Sequence, residues 1–288
     1  MKTDPFFGVH LEAEHLLSEL KIDTLPIDPF KIAKKLDIEL KPLPATAGGA
    51  SGMLLHINGM FGICYPTHID NVGFKNFSVG HEIGHYRLPG HIDAVIDASG
   101  RHVSNAGFRS DDRYEKEADQ FSASLLMPKK LFLAAGRRAG DGLNAIERLS
   151  NICITSLEAT AIRFAETNRD PVVVIVSKGP SIEYAVMSEP FKEISGLDWI
   201  RKGTPLPPGC ATADFNSDKE NVLNAERSDG STNLQDWFNG PYDQDIYEEV
   251  IGLGSYGKTI TVLTEIESPE DFDDDEDWEE KWTPRFRR

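Results

Sequence analysis

Two histidines four residues apart, His81 and His85, bracket Glu82 in the run His81-Glu82-Ile83-Gly84-His85. In a helix of about 3.6 residues per turn, positions four apart share a face, so both imidazoles can reach one metal ion. Glu82 is turned about 100° from His81 and points at a water on that ion, the place of a general base. Zinc bound by three protein ligands keeps a fourth position for water, lowers that water's pKa to about 7 and polarises a carbonyl. Metal and carboxylate together therefore suit hydrolysis of a peptide bond. An accidental His-Glu-x-x-His is expected only ~0.02 times in a chain of this composition. The plain alternative is a helical histidine pair held by hydrogen bonds.

A third ligand is needed, and the sequence offers two main candidates. His91 lies where a longer pattern, His-Glu-x-x-His-x-x-Gly-x-x-His, carries its third ligand, but Leu88 stands in place of the turning glycine, leaving Pro89-Gly90 to turn the chain. Glu115 lies on the next expected helix with Asp119 four residues on, so Glu115 can bind metal while Asp119 accepts a hydrogen bond from a ligating imidazole. Glu117 is a fallback on another face. His102, Tyr114 and His91 are the nearest polar candidates for stabilising a developing oxyanion. Cys64 precedes the active-site helix, where a thiolate could be an inhibitory fourth ligand or, more simply, a small buried apolar side chain.

Leu11, His15 or Leu16, and Leu20 form an apolar stripe near helical spacing, and Asp28-Pro29 caps a second helix. Ile38 to Leu40, Met53 to Ile57 and Met60 to Cys64 read as strands, the last two joined by a turn at Asn58-Gly59. The strand Met60 to Cys64 could be internal or could pair with an extended substrate. A helix is expected from Phe74 to Arg87, an ordered loop or short pieces from Gly90 to Ser110, and then a helix capped by Asp111 or Asp112 that presents Tyr114, Ala118, Phe121, Leu125 and Leu126 on one face. Further helices are expected over 129–135, 143–150 and 156–166. At Asn168-Arg169-Asp170-Pro171 the character changes to strands at Val172 to Val176, Ile182 to Met187 and Thr259 to Leu263, with Gly203 to Thr232 expected as loop.

The 288 residues allow one large domain or two modest ones, and 40% hydrophobic with 27% charged residues excludes global disorder and rods. Three cysteines, Cys64, Cys153 and Cys210, provide neither a disulfide framework nor a paired zinc motif. The net charge of −17 argues against nucleic-acid binding over the whole surface. Eleven acidic residues and no basic ones fall between Glu265 and Glu280, so the rest of the chain is only mildly acidic. Lys129-Lys130, Arg137-Arg138 and Arg285 to Arg288 are basic clusters, read first as solvated surface and second as contacts to nucleic acid. Without a membrane-spanning run or a basic-then-apolar start, a cytoplasmic protein is expected.

Phe77-Ser78-Val79-Gly80-His81-Glu82-Ile83-Gly84-His85-Tyr86, followed by Glu115-Lys116-Glu117-Ala118-Asp119-Gln120-Phe121-Ser122-Ala123-Ser124-Leu125-Leu126-Met127-Pro128, resembles the ImmA/IrrE family of metallo-endopeptidases. Asp119 replaces that family's usual Asn, and Ser122 an Ala. The likeness covers residues 10 to 168 and is looser beyond 170. It implies an α+β chain: a zincin-like, mostly helical metallopeptidase domain with a small β-sheet over 1–169, then a smaller mixed α/β, GAF-like sensor domain over 170–267, with an acidic tail and basic-aromatic end over 268–288. It further implies a Zn2+ site of His81, His85 and Glu115, Glu82 as the catalytic base, and Asp119 orienting a histidine. The implied substrate is a separate helix-turn-helix (XRE-like) repressor, whose cleavage relieves repression of stress, DNA-damage, phage or defence genes. The implied signal is a nucleic acid or small molecule at the carboxy-terminal domain. A non-catalytic metal-containing sensor that derepresses by docking on a repressor, and a broad-specificity peptidase, are the alternatives.

Overall fold

The structure, a computed structural model, describes residues 5–43, 49–67, 71–105 and 112–267. The chain divides into two compact units, residues 1–140 with 145–160, and residues 141–144 with 161–288. The change of character near residue 169 falls inside the second unit.

In the first unit, α1 (Phe7–Glu19) buries Val9, Ala13, Leu16 and Leu17, while Leu11 and His15 face outward. The buried stripe therefore runs through Val9 and Ala13 rather than Leu11 and His15. α2 (Pro29–Lys35) opens as expected, with Asp28 accepting the Lys31 N–H at 3.1 Å and Pro29 in the first turn. Strands β1 (Glu39–Pro42), β2 (Ala50–Ile57) and β3 (Met60–Tyr65) follow. Asn58 and Gly59, at φ 53° and 76°, make the tight turn between β2 and β3.

α3 (Val72–Arg87) starts at Asn71, which accepts the Phe74 N–H, and ends where Leu88 turns extended. Gly90, at φ 80°, reverses the chain into α4 (His91–Val95), and β4 (Arg101–Asn105) follows. The sheet order is β1-β3-β2-β4, with β3 parallel to β1 and antiparallel to β2. Both edges of β3 are thus used, which removes it as a place for an added substrate strand; β4 is an edge strand instead.

α5 (Arg113–Leu126) is capped by Asp112, which accepts the Tyr114 N–H at 2.7 Å, and buries Ala118, Phe121, Leu125 and Leu126. It packs on α3 at close range. A Cβ added at Gly84 would stand 3.1 Å from Phe121 Cδ1 and 3.2 Å from the Ala118 Cα, so glycine sets this helix spacing. The core gathers Leu16, Ile32, Leu54, Ile63, Val79, Ile83, Phe121 and Leu125, all essentially inaccessible to solvent. α6 (Lys129–Gly136) completes this part of the chain, and the division between the units passes through α7 (Gly142–Cys153) and α8 (Leu157–Thr167).

The second unit is built on an antiparallel sheet of order β6-β5-β9-β8-β7. Its strands are β5 (Val173–Lys178), β6 (Ser181–Met187), β7 (Arg227–Asn233), β8 (Asp245–Gly252) and β9 (Thr259–Thr264). α9 (Glu189–Glu193), α10 (Ala211–Ser217) and α11 (Lys219–Leu223) lie between β6 and β7, and α12 (Leu234–Phe238) lies between β7 and β8. The stretch from Gly203 to Thr232, expected as loop, therefore holds two helices and most of a strand. β7 escapes sequence reading because an edge strand paired with β8 alone carries Arg-Ser-Asp-Gly-Ser-Thr, with no apolar face to betray it.

Val173, Ile175, Ile246 and Leu263 pack with Phe191, Leu234 and Phe238 in a separate core. Glu248 is fully buried there and accepts the backbone N–H groups of Ala211 and Thr212 and the Thr212 hydroxyl, anchoring the start of α10. The acidic tail and the Arg285 to Arg288 cluster lie outside the described residues. Among the described residues no helix is long and apolar enough to cross a membrane.

Candidate metal centre

α3 carries His81 and His85 one turn apart, and their Nε2 atoms stand 3.0 Å from each other. α5, held close by Gly84, brings in Glu115: its Oε2 is 3.4 Å from His81 Nε2 and its Oε1 is 3.4 Å from His85 Nε2. β4 adds His102, whose Nε2 lies 3.0 Å from Glu115 Oε1. One ligand atom from each of these four residues falls within 4.8 Å of the others, a cluster able to hold a metal ion. Ligand atoms around a tetrahedral ion with bonds of about 2.0–2.1 Å stand about 3.3 Å apart, so the spacing fits.

The remaining imidazole nitrogens fix the direction of the lone pairs. His81 Nδ1 donates to Asp119 Oδ1 at 2.8 Å, which leaves its Nε2 for the centre of the cluster. His91 Nε2 donates to Glu117 Oε2 at 3.0 Å, and Arg113 Nε donates to Glu117 Oε1 at 2.6 Å. His91 Nδ1, 3.1 Å from His85 Nδ1, is then an acceptor, so His85 gives its proton there and also turns an Nε2 lone pair inward. Two lone pairs and a carboxylate converging at these distances repel one another unless a cation lies among them.

Protonation follows the same logic. Burial opposes charge on His81, but hydrogen bonds to Asp119 and Glu115 outweigh it and carry this imidazole up to about 10. Burial brings His85 down to about 4 despite the pull of Glu115. Burial also works against Glu115, yet hydrogen bonds from His102 and His81 hold it well below the usual carboxylate range. The metal-free chain thus draws a proton to this position, as a site built for a cation does.

Glu82 is fully buried beside the cluster. The Ser104 hydroxyl donates to its Oε1 at 2.7 Å, while Oε2 is buried with no hydrogen-bond partner among the described residues. A Cβ at Gly52 would collide with this carboxylate, so β2 and β4 form a cradle for it. Burial raises the Glu82 pKa against the opposing pull of His81 and Ser104. In the metal-free chain Ser104 spends its only proton on Glu82, so its 3.3 Å contact with His102 Nε2 is one in which His102 donates.

The structure brings His81, Glu82, His85, Glu115 and Asp119 together. His91 does not reach the cluster; it backs His85, and Glu117 backs His91. Tyr114 lies edge-on to His91, with ring centroids 5.0 Å apart. Cys64 is buried in β3 outside the cluster, its thiol pushed up by burial. His102 joins the four-residue cluster although its sequence position suggests only an oxyanion role, and no residue spacing marks Ser104 or Gly52. The one local signal was the alternation of β4, where His102 and Ser104 share a face that turns inward.

Two packed helices and a strand thus share a cluster able to hold a metal ion, on a mixed helix-and-sheet scaffold that fits a metallopeptidase-type fold. Residues 33–165 match the model of the peptidase M78 family, described as the IrrE N-terminal-like domain. No curated protein matches the chain in sequence. Among solved structures, a Mycobacterium tuberculosis transcriptional regulator is similar in fold, with a TM-score of 0.57 and 12% identity over 89% of this chain and 75% of that one.

Proposed function

We propose that the chain is a zinc-dependent endopeptidase that cleaves a separate helix-turn-helix, XRE-like repressor and so relieves repression of stress, DNA-damage, phage or defence genes. The observation that carries the hydrolytic reading is the Glu82 carboxylate: one oxygen tied to Ser104, the other buried beside the histidine pair without a hydrogen-bond partner among the described residues. His81, His85 and Glu115 hold the ion, and Asp119 orients His81. Zinc, when bound, supplies an acidified water and a Lewis acid for the scissile carbonyl. Glu82 Oε2 would serve as the proton acceptor of the hydrolysis and would return that proton to the leaving amine, a role suited to a carboxylate whose pKa burial has raised. The His102 N–H donates to the oxyanion as it develops. An extended substrate pairs along β4, which among the described residues has a strand partner only in β2, next to both groups.

The repressor as substrate is supported by the family resemblance and by the regulator of similar fold. In this reading residues 1–169 do the chemistry, 170–267 form a GAF-like domain that receives a nucleic-acid or small-molecule signal, and the protein works in the cytoplasm. The test is Glu82→Gln in the full chain, incubated with the repressor and followed by mass spectrometry of fragments. Cleavage is expected to fall by about 10³-fold with zinc content unchanged. Parental cleavage by the variant would remove Glu82 from the mechanism.

One observation favours a second reading. With His102 as a fourth ligand the cluster would offer four protein ligands and keep no position for water, the pattern of a structural metal, and control would then act by docking on the repressor. Intact repressor recovered from a derepressing complex would select this reading; rapid cleavage of unfolded casein would instead select a broad-specificity peptidase.

A further inference from the structure

The two histidines of α3 are backed in different ways. His81 meets a carboxylate directly, through Asp119 at 2.8 Å. His85 meets another imidazole, and the carboxylate stands one residue further back. The connection is continuous: Arg113 to Glu117 at 2.6 Å, Glu117 to His91 at 3.0 Å, His91 to His85 at 3.1 Å. His85 and His91 are both fully buried, so no solvent competes for the bond between them. A separate element is spent on this contact. Leu88 ends α3, Gly90 adopts φ 80°, and α4 begins with His91 beneath the helix it has just left. The three acids of α5 are shared out accordingly: Glu115 faces the two Nε2 atoms, Asp119 faces His81, and Glu117, on another face of the helix, reaches His91.

We propose that His91 is a positioning residue of the metal centre: it accepts the Nδ1–H of His85 and, held by Glu117, keeps the His85 Nε2 lone pair directed at the ion. The geometry leaves little alternative. A 3.1 Å contact between two ring nitrogens needs one donor and one acceptor, and the carboxylate at the far side of His91 claims that ring's Nε2 proton. Were the direction reversed, His85 would present an N–H to the cluster and could not ligate. His91 never touches the ion in this arrangement, and its contribution passes wholly through His85.

This inference rests on the reading that the cluster binds zinc and is independent of whether the chain is a peptidase. Zinc affinity is measured on the full chain by competition with a chromophoric chelator, for the parent, His91→Leu and His91→Asn, with metal-free thermal melting followed in parallel. His91→Leu is expected to lose about 10–100-fold in affinity. His91→Asn, whose Oδ1 takes the place of the Nδ1 acceptor, is expected to stay within about threefold of the parent. Unchanged affinity in the leucine variant would overturn the proposal, as would an equal loss in the asparagine variant, since bulk rather than an acceptor would then matter. If His91→Leu does not fold, the protonated nitrogens are read on the zinc-loaded parent by long-range 1H–15N NMR. Protons on Nδ1 of His85 and Nε2 of His91 are expected, and the opposite pair would overturn the assignment. A parent that takes up no zinc would sink the metal-centre reading together with this one; a parent that binds zinc yet ignores the loss of His91 would sink this one alone.

Discussion

His81 is where metal and proton compete. Hydrogen bonds to Asp119 and Glu115 hold the metal-free imidazole protonated up to about 10, well above its ordinary 6.5, even though burial resists the charge. Zinc must therefore displace a proton, and apparent affinity is expected to rise about tenfold per pH unit between roughly pH 6.5 and 9. Titration calorimetry in buffers of different ionisation enthalpy should report about one proton released per zinc; an affinity flat across that window would contradict the assignment. The sign for stability is opposite. A histidine whose folded pKa is raised stabilises the metal-free chain below pH 6.5, and that contribution is lost as the pH climbs toward about 10. Zinc binding should thus protect the fold most where the metal-free chain is losing this contribution.

At the scale of elements, the site is the place where α3, α5 and β4 meet. α3 supplies the histidine pair and Glu82, α5 supplies Glu115 and Asp119, and β4 supplies His102 and Ser104. The separation of α3 from α5 decides whether Glu115 reaches both Nε2 atoms, and Gly84 sets that separation against Phe121 and Ala118. Gly84→Val has no room without moving α5 outward. It is expected to cost on the order of 2 kcal/mol of stability by overpacking and to weaken zinc binding, because Glu115 moves with its helix. Full zinc affinity in a folded Gly84→Val chain would show that helix spacing does not control the site. Gly52 makes the same kind of close approach from the sheet side, leaving space for the Glu82 carboxylate.

At the scale of the molecule, each unit has its own core. One is centred on Ile83, Phe121 and Leu125, the other on Ile175, Phe238 and Leu263. The zinc candidates all lie in the first. Differential scanning calorimetry is accordingly expected to resolve two transitions, with zinc moving that of the first unit. At free zinc about a thousandfold above Kd the added stability is about 4 kcal/mol. Glu115→Ala is expected to abolish the shift while leaving the second transition in place. One transition that moves as a whole with zinc would mean that the two units unfold together.

What the sequence determined by itself was local. The histidine pair with its glutamate, and the Glu115 and Asp119 pair, are legible because their geometry is that of a single helix, where a spacing of four residues is already a statement about a face. The caps at Asp28 and Asp112, the Asn58-Gly59 turn and the apolar run of β5 are legible for the same reason. Tertiary structure alone decided the rest. His102 joins the cluster because β4 pairs with β2 in a register that sets His102 against Leu54. Ser104 and Gly52 serve Glu82 because two strands converge on one carboxylate. His91 lies behind His85 rather than on the ion because the chain reverses at Gly90. β7 is a strand only because β8 lies beside it. Each of these rests on contacts between segments distant along the chain or on a reversal of its direction, and residue spacing carries no record of such contacts until packing has brought the segments together.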